Sequence, residues 1–387
     1  MGYGDGRAEA NAAVLEVIED EIAQGREIGV QVAGYVDGEL VVDCWAGLAD
    51  REAGTPVGPD TLFNTFSVTK AVAATALHVQ VEKGLVDYDA PVVRYWPEYG
   101  AAGKEETKVG DLVTHRSGVP QMPAGMTPER MADWNWMVDQ IAALAPMAPP
   151  GSQAMYQAMT FGWLVGEVVR RSDPQGRSFG AFVREEVGAP LGAPDLWIGL
   201  PDAELPRVAR LYDDRPPSDP STRGPLYSAA APLAVDLTPQ VFEQPIVRAA
   251  EVPGVGGIFT ARSEARLWAM LACGGTLDGT RLLSETLVAR LFEPRGNSDE
   301  PDKVMYNIPL GLSLGGYWLG AERPSVWAAP FDGMVCHPGA GNSMGWADAT
   351  NRSAVAICHN RLTQPRERDQ DSILRIAEAV RRAMGVR

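Results

Sequence analysis

One serine, one lysine and one tyrosine supply the residue types that covalent acyl chemistry needs. Ser67 and Lys70 stand three residues apart in Phe63-Asn64-Thr65-Phe66-Ser67-Val68-Thr69-Lys70. From 67 to 83 there is no Gly or Pro, and apolar residues recur at helical spacing, so a helix is expected with both side chains on one face of its first turn. The first turn of a helix leaves N–H groups unpaired and favours negative charge. A lysine there loses its charge on desolvation and can take the serine proton, which makes the hydroxyl a nucleophile. The motif is weak alone, since an ordinary helix with a surface lysine reads the same way. The chain has lysines at 70, 83, 104, 108 and 303, however, and Lys70 alone has a serine three residues before it.

Three further stretches belong beside this pair. Tyr156 follows the turn-forming Pro149-Pro150-Gly151 and precedes a helical run. A phenol near a lysine ammonium is expected to have a lowered pKa and to shuttle a proton. Cys336-His337-Pro338-Gly339-Ala340-Gly341-Asn342 is a Gly-rich bend whose N–H groups could face a developing oxyanion. Thr114-His115-Arg116-Ser117-Gly118 opens a helical region, and His115 reads as a structural hydrogen-bonding residue.

The elements that must position these residues follow in chain order. An amphipathic helix is expected over 8–23. Two β-rich runs at 29–36 and 39–47, joined by Asp37-Gly38, carry the strongest short-range hairpin signal. Residues 84–245 turn Pro- and Gly-rich, with helical pieces at 128–144, 160–171 and 179–186. Met122, Met126, Met131, Trp134, Trp136 and Met137 are its candidate pocket lining. The Pro-, Asp- and Ser-rich stretch 201–245 reads as an extended loop or lid. A helix at 263–273, strands at 310–319 and 353–359, and a closing helix at 371–384 complete the chain. The expected fold is α/β of the α+β type: an antiparallel sheet flanked by helices, built from 8–83 and 246–387, with 84–245 inserted as a mostly helical domain.

Composition narrows the function. The 387 residues are 45% hydrophobic, enough for a packed globule. A net charge of −16 repels phosphate backbones and anionic lipid, so nucleic-acid and membrane partners are not expected. No apolar run reaches membrane-span length, and the N-terminus has no signal-peptide core. The cysteines at 44, 273, 336 and 358 lie too far apart for a Cys-x-x-Cys pair and read as free thiols in a reducing compartment. The expectation is a cytoplasmic enzyme with no cofactor and no metal, acting on a small ester or acyl substrate. Homo-oligomerisation is left open.

Ser67-Val68-Thr69-Lys70, Tyr156 and His337-Pro338-Gly339 resemble, in order and spacing, the three motifs of the serine β-lactamase and penicillin-binding-protein superfamily. The class C β-lactamase-like branch, with its family VIII carboxylesterases and related acyltransferases, is the nearest. The phrases 114–118, 156–166, 255–258 and 337–348 are similar too, and the likeness spans about residues 12–383. The resemblance implies Ser67 as the acylated nucleophile, Lys70 as its base and Tyr156 as the proton shuttle. It further implies an oxyanion hole from the N–H groups of Ser67 and Ala340. His337, Gly339, Gln157, Trp134, Trp136 and Met122 are the candidate substrate-binding residues. His337 stands where β-lactamases carry lysine, and Ala158 where they carry an asparagine that grips the β-lactam side-chain amide. A carboxylesterase for short- to medium-chain esters is therefore expected. The alternatives are an acyltransferase with an alcohol or amine acceptor, a weak β-lactamase or D-aminopeptidase, and an inactive binding relative. A rival nucleophile, Ser343 in Gly341-Asn342-Ser343-Met344-Gly345, would need an α/β-hydrolase elbow, with Asp348 and His359 completing a triad.

Overall fold

The computed structural model describes residues 1–217, 219, 221, 223–320, 334–364 and 370–386. Its centre is an eight-stranded antiparallel sheet in the order Gly2–Tyr3, Glu39–Asp50, Gly29–Val36, Ser353–His359, Met344–Asp348, Met334–Pro338, Trp318–Leu319, with Thr55–Pro56 paired to Glu39–Asp50. The predicted hairpin forms, with Asp37 and Gly38 both at positive φ (51° and 80°) in its turn. Its first strand pairs directly with the C-terminal strand, Val32 opposite Ile357 and Gly34 opposite Val355, so the two chain ends share one sheet.

Side-chain alternation explains why this sheet is covered on both faces. Gly34 faces Val380 and Met384 of the helix Ser372–Met384. Gln31 and Tyr35, of opposite parity, meet the helix Ala261–Ala272 through the Ala261 N–H (2.6 Å) and Arg266. A strand buried on both faces reads as an unbroken apolar run rather than an alternating one.

The helix carrying Lys70, Thr69–Glu82, is buried at every position from Thr69 to Gln80. A helix that is apolar all round is an interior helix. Of its few polar groups, Thr75 meets Tyr317 (3.1 Å), and His78 sits between the Tyr88 hydroxyl and the Gly315 carbonyl.

Four expectations need correction. The predicted helix 128–144 is two helices, Pro128–Ala132 and Trp134–Ala143, because Asp133 leaves helical conformation and caps the second through the Trp136 N–H (3.0 Å). The 179–186 helix becomes a π-helix from Val183 to Gly188. Of the predicted strand 310–319 only Trp318–Leu319 is strand; Gly316 at φ +78° turns the chain just before it. The stretch 201–245 is no extended loop but a string of short helical segments, among them Asp202–Arg207, Pro225–Ala230 and Pro239–Phe242. Residues 218, 220 and 222 of that stretch lie outside the described residues. We propose, as the division of the chain, a sheet unit from 8–83 and 246–387 and an inserted helical unit from 84–245.

Candidate active site

Ser67 lies between the strand Phe63–Phe66 and the helix Thr69–Glu82. The residue before it, Phe66, has φ +47°, a conformation that costs a bulky residue energy and persists only where packing enforces it. Phe66 is fully buried, edge-on to Phe242 (5.2 Å). The Gly257 N–H donates to Thr69 Oγ1 (2.8 Å), and any Cβ at Gly257 would meet that oxygen at 2.4 Å. The turn that presents Ser67 is thus fixed from both sides, with Ser67 itself 9% exposed.

Lys70 is fully buried, and its Nζ contacts three oxygens: Ser67 Oγ at 3.0 Å, and the carbonyls of Ala158 and Gly254 at 2.8 Å each. Among the described residues no carboxylate forms an ion pair with it. Burial holds its pKa well below the ordinary lysine range.

Tyr156 is buried and shares a hydrogen bond with Ser67. Lys70 Nζ stands 5.2 Å from its ring centroid. The expected lowering of the phenol pKa does not occur: burial pushes it above the ordinary tyrosine value, and the hydrogen bond to Ser67 offsets this only in part. Lys70 Nζ faces the ring, and burial lowers the lysine pKa while it raises that of the phenol.

His115 builds the loop beneath Tyr156. It adopts φ +58°, accepts from the Gln157 N–H at Nδ1 (3.0 Å), and takes the Met155 N–H on its carbonyl (3.0 Å). Its ring lies 4.6 Å from that of Tyr156.

The Gly339–Ala340 bend sits against the nucleophile strand. A Cβ on Gly339 would come within 2.3 Å of the Thr65 carbonyl oxygen, so only glycine allows this approach. Among the described residues neither the Ser67 nor the Ala340 N–H donates to a protein acceptor. The bend is secured by Asn342, at φ +98°, whose Nδ2 donates to Asp371 Oδ1 (2.7 Å). His337 is fully buried; its Nδ1–H donates to the Pro338 carbonyl (2.9 Å), which leaves Nε2 a lone-pair acceptor without a partner among the described residues. Burial, with help from the Lys70 charge, pushes its pKa down to about 3, so the ring is neutral.

The remaining candidates separate. Gln157 is fully buried with its carboxamide committed, Oε1 accepting from Ser117 Oγ (2.9 Å) and Nε2 facing the Leu112 carbonyl (3.3 Å). It is a loop brace rather than a substrate contact. Trp134 donates to Glu167 (2.8 Å) and stacks on Phe179, inside the helical packing, and Trp136 lies under Arg130. Among the described residues neither has a hydrogen bond or ring contact with Ser67, Lys70 or Tyr156. Met122 is buried and bonded through its N–H to the Ala229 carbonyl (2.9 Å), two residues from Tyr227. The sequence reading missed Trp318, edge-on to both Tyr156 (6.1 Å) and His337 (6.0 Å), and Tyr227, which adds to the upward pressure on the Tyr156 pKa. No local motif marks either residue.

The α/β-hydrolase alternative fails on geometry. Ser343 precedes the strand Met344–Asp348, not a helix. Asp348 is bound to Thr350 and Asn351, while His359 pairs with Glu27 (2.9 Å).

A sheet of this topology, with a serine–lysine pair at the start of a buried helix, defines a serine hydrolase of the β-lactamase type. The chain belongs to the Beta-lactamase family, whose pattern it matches over residues 14–379. It is 35% identical over 353 residues to the esterase/beta-lactamase LipL of Mycobacterium tuberculosis, covering 87% of this chain and 78% of that protein. It is 33% identical to the esterase EstB of Burkholderia gladioli, over 53% of this chain and 56% of that one. Among solved structures, a family VIII carboxylesterase superimposes with a TM-score of 0.88 at 31% identity, covering 99% of this chain and all of that one. A penicillin-binding protein homologue from Caulobacter crescentus gives 0.84 at 34% identity, over 98% and 100%. Among the described residues no helix is long and apolar enough to cross a membrane.

Proposed function

We propose that the chain is a carboxylesterase for short- to medium-chain esters, acting through an acyl-enzyme on Ser67. The observation that carries this is the environment of Lys70. Two of its N–H bonds point to the Ala158 and Gly254 carbonyls, so its third tetrahedral position faces Ser67 Oγ. A desolvated, neutral lysine aims its lone pair there and takes the Ser67 proton as the oxygen attacks the ester carbonyl. The free N–H groups of Ser67 and Ala340 receive the oxyanion. When the ester C–O bond breaks, the Tyr156 phenol gives its proton to the departing alkoxide and is resupplied by Lys70. A water molecule, deprotonated by the same pair, then releases the acid and restores the Ser67 hydroxyl.

Esterases among the relatives, and an alanine at 158, support esters over β-lactams. A panel of p-nitrophenyl esters of rising chain length, run beside a cephalosporin, tests this. Short and medium esters should turn over readily and the cephalosporin far more slowly. Ring opening as fast as ester cleavage would reverse the assignment.

A further inference from the structure

Away from Ser67, a cavity of about 360 Å³ gathers cations in a chain whose net charge is −16. Lys108, Arg116, Arg290 and Arg295 line it, against Asp89 and Asp111. Two of the cations are already paired: Lys108 with Asp89 (3.1 Å) and Arg116 with Glu300. Asp111 accepts from the Lys108 N–H (2.9 Å). Arg290 and Arg295 have no ion-pair partner among the described residues. Arg290 is exposed at the end of the helix Glu285–Phe292, its guanidinium 5.5 Å from the Tyr88 ring centroid. Arg295 is only 3% exposed; it donates to the Thr114 and Leu310 carbonyls, and its buried Nε has no partner among the described residues.

A buried guanidinium bonded to carbonyls, with no ion pair among the described residues, carries a charge that is costly to bury. Its pKa reflects that cost, pushed down to about 10 by burial and by the neighbouring Arg116 charge; Asp302 and Glu300 oppose this without forming an ion pair with it. At neutral pH it stays cationic. We propose that this cavity binds a small anion bearing a carboxylate or phosphate group, taken by the Arg290 guanidinium with the buried charge of Arg295 behind it. Planar, bidentate recognition of such groups suits the Arg290 guanidinium, which makes no hydrogen bond among the described residues, and the volume suits a small metabolite rather than a chain.

Isothermal titration with inorganic phosphate and, separately, citrate tests this on the full chain, with sodium chloride at matched ionic strength as the reference. At least one anion should bind saturably beyond chloride. R290A should weaken it roughly tenfold, the size of one charge-assisted hydrogen bond, and R290E should abolish it; both changes are at an exposed side chain and leave the core untouched. S67A should bind as the wild type does. Heats no larger than those of chloride, affinity unchanged in R290A and R290E, or binding lost in S67A would each overturn the proposal.

Discussion

Lys70 Nζ lies 3.0 Å from Ser67 Oγ, with two backbone carbonyls as its other hydrogen-bond partners and no carboxylate paired with it among the described residues. A carboxylate would hold the ammonium form; carbonyls orient the amine without neutralising its charge. Burial then favours the uncharged base. Stability and reactivity are therefore set against each other at one atom.

That opposition can be read from stability against pH. The folded-state pKa of Lys70 is lowered, whereas an unfolded lysine titrates near 10.4. Between those two values the unfolded chain binds the extra proton, so stability rises with pH across that window. Relative to K70M, which has no such group, the wild type should gain up to about 1.4 kcal/mol per pH unit as pH climbs toward 10.4. Denaturant unfolding at several pH values measures this; a flat difference would mean that Lys70 is not desolvated.

The pH profile of kcat/KM should rise to a plateau on the alkaline side as the Lys70–Tyr156 pair loses one proton, a property of the pair rather than of either residue. His337, already neutral with its pKa at about 3, does not contribute to that limb. H337N should therefore leave the midpoint where it is, whatever it does to the plateau. A midpoint that moves with H337N would transfer the base role to the histidine.

Tyr156, hydrogen-bonded to Ser67 and kept protonated by burial, should act with Lys70 as one unit. Y156F is expected to lose roughly 10²–10⁴-fold in kcat while staying folded. K70A should lose at least as much, and the double variant little more. Additive losses in the cycle would separate the two roles.

Asp371 caps the helix Ser372–Met384, accepting from the Ile373 N–H (3.0 Å), and holds Asn342 in its positive-φ conformation. Removing it deprives the helix of its cap and leaves the buried Asn342 amide unpaired. D371A should cost about 2–4 kcal/mol in stability and lower kcat more than it alters KM, because the bend it supports carries the Ala340 N–H. D371N should recover part of both. Normal kcat in a folded D371A would show that the bend keeps its shape unaided.

What could be read from the sequence followed the reach of each signal. The hairpin, the buried helix after Ser67 and the closing helix rest on local periodicity and turn chemistry, and all three formed. The 128–144 helix broke because Asp133 prefers capping to continuing, a competition that apolar spacing does not show. The serine, lysine and tyrosine come together because the stretches that carry them are recognisable one by one. Trp318 and Tyr227 reach the same site through pairings distant in sequence and carry no motif. Trp134 and Trp136 looked like lining by composition alone, yet packing claimed Trp134 and Arg130 covers Trp136. The direction of the Tyr156 pKa depends on burial, which residue type and spacing do not report.

The central claim, an acyl-enzyme on Ser67, is tested most directly by rapid quenching with a p-nitrophenyl ester, followed by intact-mass and peptide mapping. The account predicts one acyl group on the peptide containing Ser67, absent in S67A. An acyl group on Ser343, or turnover that persists in S67A above about a tenth of the wild-type rate, would contradict it.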